Sequence, residues 1–391
     1  MNSPVPSREE LVGRARSLHQ LLSDSAQEGE AAREITGEVH KGLTDAGLFR
    51  MFVPTRFGGY EASMRTVLEV TEALGSADAS AAWLVSVGSV AAWIAGQASP
   101  RGQEELFASG PDVHIAGGNA PVLAERVPGG LRMSGRWSYA SGAGHARWAS
   151  LGAAVRDQSG EVVDAVLGFV PASVVRLERT WQSIGMRGTG SDTWVAEDVF
   201  VPEHLTVSMG RLGAGDWRPP SDEPMYGLPL APVATVPLLG PILGAAQAAL
   251  DLVVRQAPGK TMQHTFFSSQ SESVGVQIQV AEAAVKLRTA RLHAADVADV
   301  LDDSAGRHRV GYSTRARMRA QTGLAAQLAC DALDVLLTVH GSGGFSESNP
   351  LQRRWRDVNT AARHAALNPV IGYEVYGKDL LGIGERISPS V

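Results

Sequence analysis

Seven consecutive residues, Gly185 to Ser191, concentrate groups that can contact a ligand directly. They include three glycines, a threonine and a serine. Glycine removes side-chain bulk where the backbone turns, so amide N–H groups and hydroxyls are left free to meet a flat or phosphorylated ligand. The apolar run that follows, from Trp194 to Val201, predicts a strand that ends at Pro202. A turn without a ligand is the alternative interpretation of the same residues.

An acid and an imidazole in the C-terminal third form a second candidate group. Asp357 and His364 are seven residues apart, about two helical turns, so the spacing predicts that both face one side of a helix. Arg353 lies four residues before Asp357 on the same stripe. A histidine with a pKa near neutrality can take a proton from a phenol, an indole N–H or an amine, or can donate one. The alternatives are a structural ion pair for Asp357 and a satisfied buried imidazole for His364.

The composition of the 391-residue chain narrows the class of protein. A formal net charge of -6 provides no basic surface, so nucleic acid is not an expected partner. The single cysteine, Cys330, excludes an internal disulfide and a multi-cysteine metal site, and no metal ligand set is predicted. The N-terminus lacks the apolar core of a signal peptide, and prolines interrupt the longest apolar stretch, 228–252. We therefore expect a soluble cytoplasmic protein without a membrane span.

Periodicity divides the chain into three zones. Apolar residues at helical spacing predict an N-terminal helical domain over 1–113, with Ser63 as the N-cap of one helix. Short apolar pieces between turn residues predict a barrel-like middle β-domain over 114–222, and long helical patterns predict a four-helix bundle over 223–391. The predicted elements are helices at 9–22, 28–47, 63–74 and 79–97, strands at 131–137, 162–170 and 194–201, and bundle helices at 242–255, 274–302, 314–340 and 349–381.

Several segments together resemble the acyl-CoA dehydrogenase superfamily. They are Asp45–Pro54 with Phe57–Tyr60, Gly135–Gly142, Trp181–Ser191, and Gly341–Phe345 with Leu351–Asp357. The resemblance covers nearly the whole chain. It implies a mainly α fold with a central β-domain, in which Trp181–Ser191 lies beside a flavin. It also implies a homotetramer that packs through the C-terminal bundle.

The residues after Asp357 indicate the branch of the superfamily. A dehydrogenase needs a carboxylate base near the flavin, and many members place it in a Tyr-Glu-Gly-Thr segment. This chain has no such segment and no glutamate between Glu347 and Glu374. The run from Arg356 to His364 instead resembles flavin-dependent monooxygenases built on this fold, which include two-component (group D) aromatic hydroxylases and dibenzothiophene-type monooxygenases.

This second resemblance implies the oxygenase component of a two-component system. Such enzymes take reduced flavin from a separate NAD(P)H-dependent flavin reductase, capture O2 as a C4a-hydroperoxide and transfer one oxygen atom to the substrate. We expect FADH2, with FMNH2 as the alternative, and an aromatic or electron-rich small molecule from secondary metabolism; C-, N- and S-oxidation all remain open. The alternatives are an acyl-CoA dehydrogenase that uses another carboxylate, such as Glu272, and a flavin-binding protein without catalysis.

The resemblance also assigns expected site residues. The expected catalytic residues are His364, Ser141 and Asp357, with the Ser141 hydroxyl bonded to the flavin N5 or its hydroperoxide. The expected cofactor-binding residues are Trp137, Tyr139, Ser141, Gly188, Thr189, Ser191, Arg255, Gly343 and Gly344. One position departs from the pattern, because several such monooxygenases carry a second histidine where this chain has Ala91. His364 is therefore the main acid–base candidate.

Overall fold

The computed structural model describes residues 5–118, 120, 122–156, 159–214, 223–307, 309–388 and 391. In this part of the chain, helices precede a mixed β-sheet and further helices follow it. One large apolar core joins the N-terminal helices to the C-terminal helices, and a second core lies within the sheet. The predicted fold class is confirmed. The domain boundaries at 113/114 and 222/223 stay a prediction, and the second one borders residues 215–222, which lie outside the described residues.

The N-terminal helices largely follow the predicted pattern. They are α1 (Arg8–Ser17), α2 (His19–Ala32), α3 (Gly37–Asp45), α4 (Met64–Gly75), α5 (Ala79–Ala95) and α6 (Pro100–Leu106). The Ser63 hydroxyl caps α4 by accepting the backbone N–H of Thr66, as predicted. The single helix predicted over 28–47 is wrong. Arg33 adopts a left-handed backbone (φ 59°) that ends α2, and Thr36 then caps α3.

The middle zone forms one mixed sheet. Its strands in the described residues are β1 (Ile115–Gly118), β2 (Leu123–Val127), β3 (Gly130–Ala140), β4 (Trp148–Arg156), β5 (Val162–Pro171), β6 (Arg176–Glu178), β7 (Asp192–Pro202) and β8 (Thr206–Ser208). Their order is β6-β7-β3-β2-β4-β5-β8, and β1 pairs with β4 in parallel. The antiparallel pair of β3 and β7 places Trp137 opposite Trp194, and its register shifts between Trp137 and Ala140. Such a bulge changes the direction in which nearby side chains point.

The C-terminal helices are longer than predicted at one end. They are α7 (Met209–Ala214), α8 (Leu230–Gln256), α9 (Val274–Ser304), α10 (Tyr312–His340), α11 (Pro350–Ala361) and α12 (Pro369–Leu380). Helix α8 begins well before the predicted residue 242 and runs through Pro237 and Pro241. Pro241 cannot donate to the carbonyl of Pro237, but the Ser86 hydroxyl donates to that carbonyl at 2.8 Å. A neighbouring helix thus satisfies the freed acceptor, and α8 continues.

The single helix predicted over 349–381 is also wrong. Helix α11 ends at Ala361, and α12 starts only at Pro369. A break is expected there, because proline disfavours helical backbone in the residue before it. His364 consequently lies beyond the end of α11, so it does not share a helical face with Asp357.

Two helical stretches have the length and composition of membrane spans, Leu230–Gly259 and Tyr312–His340. Within the protein, 83% and 61% of their most apolar windows are buried. The core helices of a folded domain have the same property, so these stretches do not indicate a membrane protein.

Candidate functional site

The loop from Gly185 to Ser191 forms a compact turn between the sheet and the helices. Met186 and Gly190 both have left-handed backbone (φ 52° and 50°), one on each side of a short 3-10 turn. Gly185 approaches α11 so closely that a Cβ there would lie 2.1 Å from the carbonyl oxygen of Arg356. The glycine at position 185 is therefore required by packing against α11.

Three hydroxyls form a continuous chain at the base of this loop. Ser141 Oγ lies 2.7 Å from Ser191 Oγ, which lies 2.6 Å from Thr189 Oγ1. Thr189 Oγ1 donates to the carbonyl oxygen of Met186 at 2.8 Å. Because the Thr189 proton is used there, the simplest arrangement has Ser191 donating to Thr189 and Ser141 donating to Ser191. The Ser141 oxygen then ends the chain as a hydrogen-bond acceptor.

Asp357 holds the loop from the helical side. Its Oδ1 accepts the backbone N–H of Met186 at 2.5 Å, and its side chain is buried. Burial, and then the charge of Asp78, raise the pKa of Asp357 to about 7, against the opposite effects of the Met186 N–H, Arg353 and Arg356. Asp357 thus forms a hydrogen bond with the loop backbone. The alternative considered from the sequence was an ion pair between Asp357 and an arginine.

Residues at the C-terminal end of α2 hold the same loop from the N-terminal side, and the sequence pattern does not reveal them. Arg33 Nη1 donates to the carbonyl oxygens of Trp181 and Ser183, at 3.1 and 3.4 Å. Glu30 forms an ion pair with Arg356. These contacts join positions that are far apart in the chain, so local spacing provides no signal for them. The N-terminal helices, the loop and α11 are therefore fixed to one another at this site.

An accessible aromatic pair stands in the segments that flank the hydroxyl chain. Tyr139 is 70% exposed and has left-handed backbone (φ 65°) at the bulge of β3. Its ring meets Trp181 edge to face, with the ring centroids 6.0 Å apart. A bulky residue in this backbone region is strained, and such strain is common where a ligand binds. Tyr139 and Trp181 are therefore suited to contact a flat ring.

Trp137 does not belong to this accessible surface. It is fully buried in the core of the sheet, and its indole N–H donates to the carbonyl oxygen of Gly152 at 2.7 Å. The side chain of Trp137 is thus not on this surface, and its expected cofactor contact stays a prediction. Successive side chains of β3 point to opposite faces of the sheet, and Trp137 points into the core. The bulge after Trp137 changes this alternation, so Tyr139 is exposed.

His364 lies next to α5, in the segment between α11 and α12. Its side chain is accessible to solvent although protein atoms surround it closely. Its ring meets Trp83 edge-on, with the centroids 5.7 Å apart, and its Nδ1 accepts the backbone N–H of Ala366 at 3.2 Å. Burial, and then the charge of Arg319, lower the pKa of His364, so the ring is neutral at neutral pH. Since Nδ1 is an acceptor, the proton of the neutral ring is on Nε2.

The remaining predicted cofactor residues lie at the ends of α8 and α10. Arg255 is exposed in the last turn of α8. Gly343 and Gly344 form a short 3-10 turn after α10, beside a cleft of about 410 Å³ between α10 and α11. No hydrogen bond of the described residues joins them to the chain of hydroxyls that ends at Ser141. Within one subunit, the structure does not bring Arg255, Gly343 and Gly344 together with the hydroxyl chain.

The loop fits a flat heteroaromatic cofactor. The accessible aromatic pair and the hydroxyl acceptor provide ring and edge contacts for such a group. Gly188 carries no side chain where a Cβ would lie 3.1 Å from Ser80, so the loop packs closely onto α5.

In the described residues, no group of three or more His, Cys, Asp or Glu side chains is placed to hold a metal ion.

Two family models match the chain. The one described as "Acyl-CoA dehydrogenase, N-terminal domain" matches residues 9–107, and "Acyl-CoA dehydrogenase, C-terminal domain" matches residues 238–369. These matches confirm the superfamily resemblance at both ends of the sequence.

Curated relatives and a solved structure match over nearly the whole length. "Flavin-dependent monooxygenase, oxygenase subunit HsaA" of Rhodococcus jostii (strain RHA1) is 32% identical over 95% of this chain and 98% of its own. "FADH(2)-dependent resorcinol hydroxylase, oxygenase component" of Rhizobium sp. (strain MTP-10005) is 30% identical over 98% and 97%. The structure of XiaF from Streptomyces sp. in complex with FADH2 and glycerol is 35% identical, covers 98% of each chain and has a TM-score of 0.92. The chain belongs to the flavin-dependent monooxygenases that share the acyl-CoA dehydrogenase fold.

Proposed function

We propose that the protein is the oxygenase component of a two-component monooxygenase that hydroxylates an aromatic small molecule. It takes FADH2 from a separate NAD(P)H-dependent flavin reductase and uses O2 as co-substrate. The observation that carries the proposal is the neutral, accessible imidazole of His364, which is oriented by its contact with Trp83. The names of the Rhizobium relative and the XiaF structure support FADH2 as the flavin.

In this proposal, the direction of the hydroxyl chain selects the reduced cofactor. When bound, reduced flavin supplies the electrons that activate O2 for the transfer of one oxygen atom. Reduced flavin carries a hydrogen on N5, whereas oxidised flavin does not. The Ser141 oxygen, which donates its own proton to Ser191, is suited to accept that N5–H. Tyr139 and Trp181 would pack against the ring system.

His364 acts as a proton donor at Nε2. Its Nδ1 is occupied by the N–H of Ala366, so Nε2–H is the group available to a substrate. It would hold the hydroxyl or oxyanion of a phenolic substrate, and it can deliver a proton when the second oxygen atom leaves as water. The buried ring of Trp83 supports the orientation of the imidazole. A phenol or a comparable electron-rich ring therefore fits this position best.

The alternative activity, acyl-CoA dehydrogenation, has less support. The Glu272 carboxylate is exposed and accepts hydrogen bonds from Ser268. Its interactions lower its pKa, whereas a general base benefits from a pKa near the operating pH.

We further propose a homotetramer in the cytoplasm. Helix α9 exposes an apolar stripe at Val274, Ile278, Val285 and Leu292, whose side chains are 64%, 63%, 65% and 53% exposed. The spacings of four and seven residues place them on one helical face, the pattern of a helix–helix contact. A second copy of the chain is the proposed partner, and the mass of the purified protein by light scattering tests this.

The activity is tested with the purified protein, a flavin reductase, NADH and ¹⁸O2. A panel of phenols, indoles and aryl sulfides should include a substrate that gains one ¹⁸O atom. The reductase alone with FAD is the control, because free reduced flavin also reacts with O2. Repeating the assay with FMN in place of FAD shows which of the two flavins the protein uses. Product that forms equally without the protein, or no incorporation across the panel together with oxidation of an acyl-CoA, would contradict the proposal.

A further inference from the structure

A buried arginine of α10, Arg319, contacts the segment that carries His364. Arg319 is 8% exposed, and its Nη2 donates to the carbonyl oxygen of Ala365 at 2.9 Å. In the part of the chain that the structure describes, Arg319 forms no ion pair, and its Nη1 has no hydrogen-bond partner. A buried guanidinium without a carboxylate costs free energy. The presence of Arg319 at this position therefore needs an explanation other than stability.

The oxygen that Arg319 binds belongs to the peptide group that orients His364. The carbonyl of Ala365 and the N–H of Ala366 are the two ends of one planar peptide group. Arg319 holds the carbonyl end, and the N–H end donates to His364 Nδ1 at 3.2 Å. A charged donor at the carbonyl polarises the peptide group and strengthens the hydrogen bond that its N–H donates. Arg319 thus acts on the imidazole through a single peptide group.

Close backbone packing holds α10 against this segment on both sides of Arg319. Gly323 lies one turn after Arg319, and a Cβ at Gly323 would lie 2.8 Å from Pro369 Cα. A Cβ at Gly372 of α12 would lie 2.7 Å from the carbonyl oxygen of Arg319. The two glycines let α10 approach the start of α12 closely, so the Arg319 side chain stays within reach of the Ala365 carbonyl.

We propose that Arg319 is a positioning residue for the oxygenation, which acts through the peptide group of Ala365 and Ala366 to hold His364 with its proton on Nε2. A neutral imidazole carries its proton on either nitrogen, and a hydrogen bond accepted at Nδ1 selects the Nε2–H form. Without Arg319, the peptide group donates more weakly and is free to rotate. His364 then loses its fixed orientation, and part of the population carries the proton on Nδ1. This inference rests on the proposed function.

The test combines Arg319→Met and His364→Ala in a double-mutant cycle. Methionine removes the charge and the donor while its flexible, apolar side chain fills much of the same space. We expect Arg319→Met to lower the yield of oxygenated product, measured with FADH2 and ¹⁸O2, by about 10-fold, the effect of one lost charge-assisted hydrogen bond. In the His364→Ala background, the same replacement should have no further effect, because residues that act as a unit are not additive.

Two further variants separate the role of Arg319 from a general effect on α10. Only one N–H of Arg319 is used at Ala365, so the point charge of lysine in Arg319→Lys should restore part of the lost yield. Arg317→Gln is the matched control, because Arg317 lies on the same helix and pairs with Asp296 at 3.0 Å. Its replacement should leave the yield unchanged. Affinity for FADH2 should stay close to that of the wild type in all these variants.

The tautomer of His364 can be measured without any reaction, by nitrogen NMR of protein labelled at histidine. The two nitrogens of a neutral ring give different signals according to which of them carries the proton. The signals that disappear in His364→Ala assign this ring. We expect the Nε2–H tautomer in the wild type and a mixture of the two tautomers in Arg319→Met.

An equal loss of yield on replacing Arg319 with and without His364 would overturn the inference, as would an unchanged yield or tautomer in Arg319→Met. If Arg319→Met does not fold, Arg319→Gln decides. A neutral amide donates more weakly than a guanidinium, so the yield should still fall, and only when His364 is present. A changed tautomer in Arg319→Met, in a protein whose wild type forms no oxygenated product, would count against the proposed function alone.

Discussion

The ring of His364 meets Trp83 edge-on, with the centroids 5.7 Å apart and an angle of 65° between the ring planes. The two residues come from opposite ends of the chain, one from α5 and the other from the segment after α11. The contact and the Ala366 N–H together fix the direction in which Nε2 points. An orientation defined from two sides is what proton transfer in an active site requires.

Replacing His364 by alanine should strongly reduce coupled oxygenation. We expect product formation to fall by about 10²–10⁴-fold, the usual contribution of a positioned acid or base. FADH2 affinity should stay close to that of the wild type, since the contacts of His364 are with Trp83 and Ala366 and not with the hydroxyl chain. Product and hydrogen peroxide yields measure the effect, and His204→Ala, which removes a surface pair with Glu105, is the control. Wild-type product yield in His364→Ala would refute the catalytic role.

Replacing Ser141 by alanine should weaken the binding of reduced flavin selectively. Loss of one hydrogen bond costs about 0.5–1.5 kcal/mol, or roughly a 2- to 10-fold increase in Kd. Oxidised FAD has no hydrogen on N5, so its affinity should change less. Anaerobic and aerobic titrations measure the two affinities, and Ser346→Ala in an exposed turn is the control. An equal loss for both redox states would contradict the direction assigned to the hydroxyl chain.

Replacing Gly185 by alanine should displace the loop. The new Cβ would lie 2.1 Å from the Arg356 carbonyl oxygen and 2.5 Å from Thr360 Oγ1. Overpacking of this kind typically costs about 1–3 kcal/mol, and flavin affinity should fall with it. Gly13→Ala is the control, because a Cβ at this position in α1 meets nothing within 4 Å. Urea unfolding and flavin titration measure both effects; a loop that tolerates the methyl group without loss of either would contradict the packing.

The protein should lose stability in mild acid because of a stack of histidines next to Gly142. His40 lies between His114 and His145, with centroid distances of 5.6 and 4.5 Å. Burial, and then the other histidines of the stack, lower the pKa of His114 to about 3, and burial and then His145 lower that of His40 to about 4.

An unfolded histidine binds protons below about pH 6.5, whereas the folded form of these groups does not, so the free energy of unfolding decreases as pH falls below that value. His114 alone should account for about 2 kcal/mol at pH 5, since one pKa unit corresponds to about 1.4 kcal/mol. Urea unfolding at several pH values measures the decrease, and His114→Leu should reduce it. The same pH dependence in His114→Leu and the wild type would show that other groups cause the loss of stability in acid.

The sequence predicts those parts of the fold and site that depend on neighbouring residues. The cap at Ser63 and the strand that ends at Pro202 are local features, and the structure confirms both. The glycines and hydroxyls of the 185–191 loop are equally local, and the structure brings them together with Ser141.

The parts that depend on distant contacts could not be predicted. Helix α8 passes through Pro241 because Ser86, on another helix, satisfies the freed carbonyl oxygen of Pro237. Trp83 belongs to a helix that is apolar throughout, so no pattern distinguishes it from core residues.

The most direct test of the oxygenase assignment is rapid mixing of the wild-type protein, loaded anaerobically with FADH2, with O2. We predict a transient near-ultraviolet absorbance of oxygenated flavin that forms quickly and decays slowly to oxidised flavin, without any acyl-CoA present. Direct reoxidation of the flavin without such a phase, together with anaerobic bleaching of bound oxidised FAD by an acyl-CoA, would contradict the assignment.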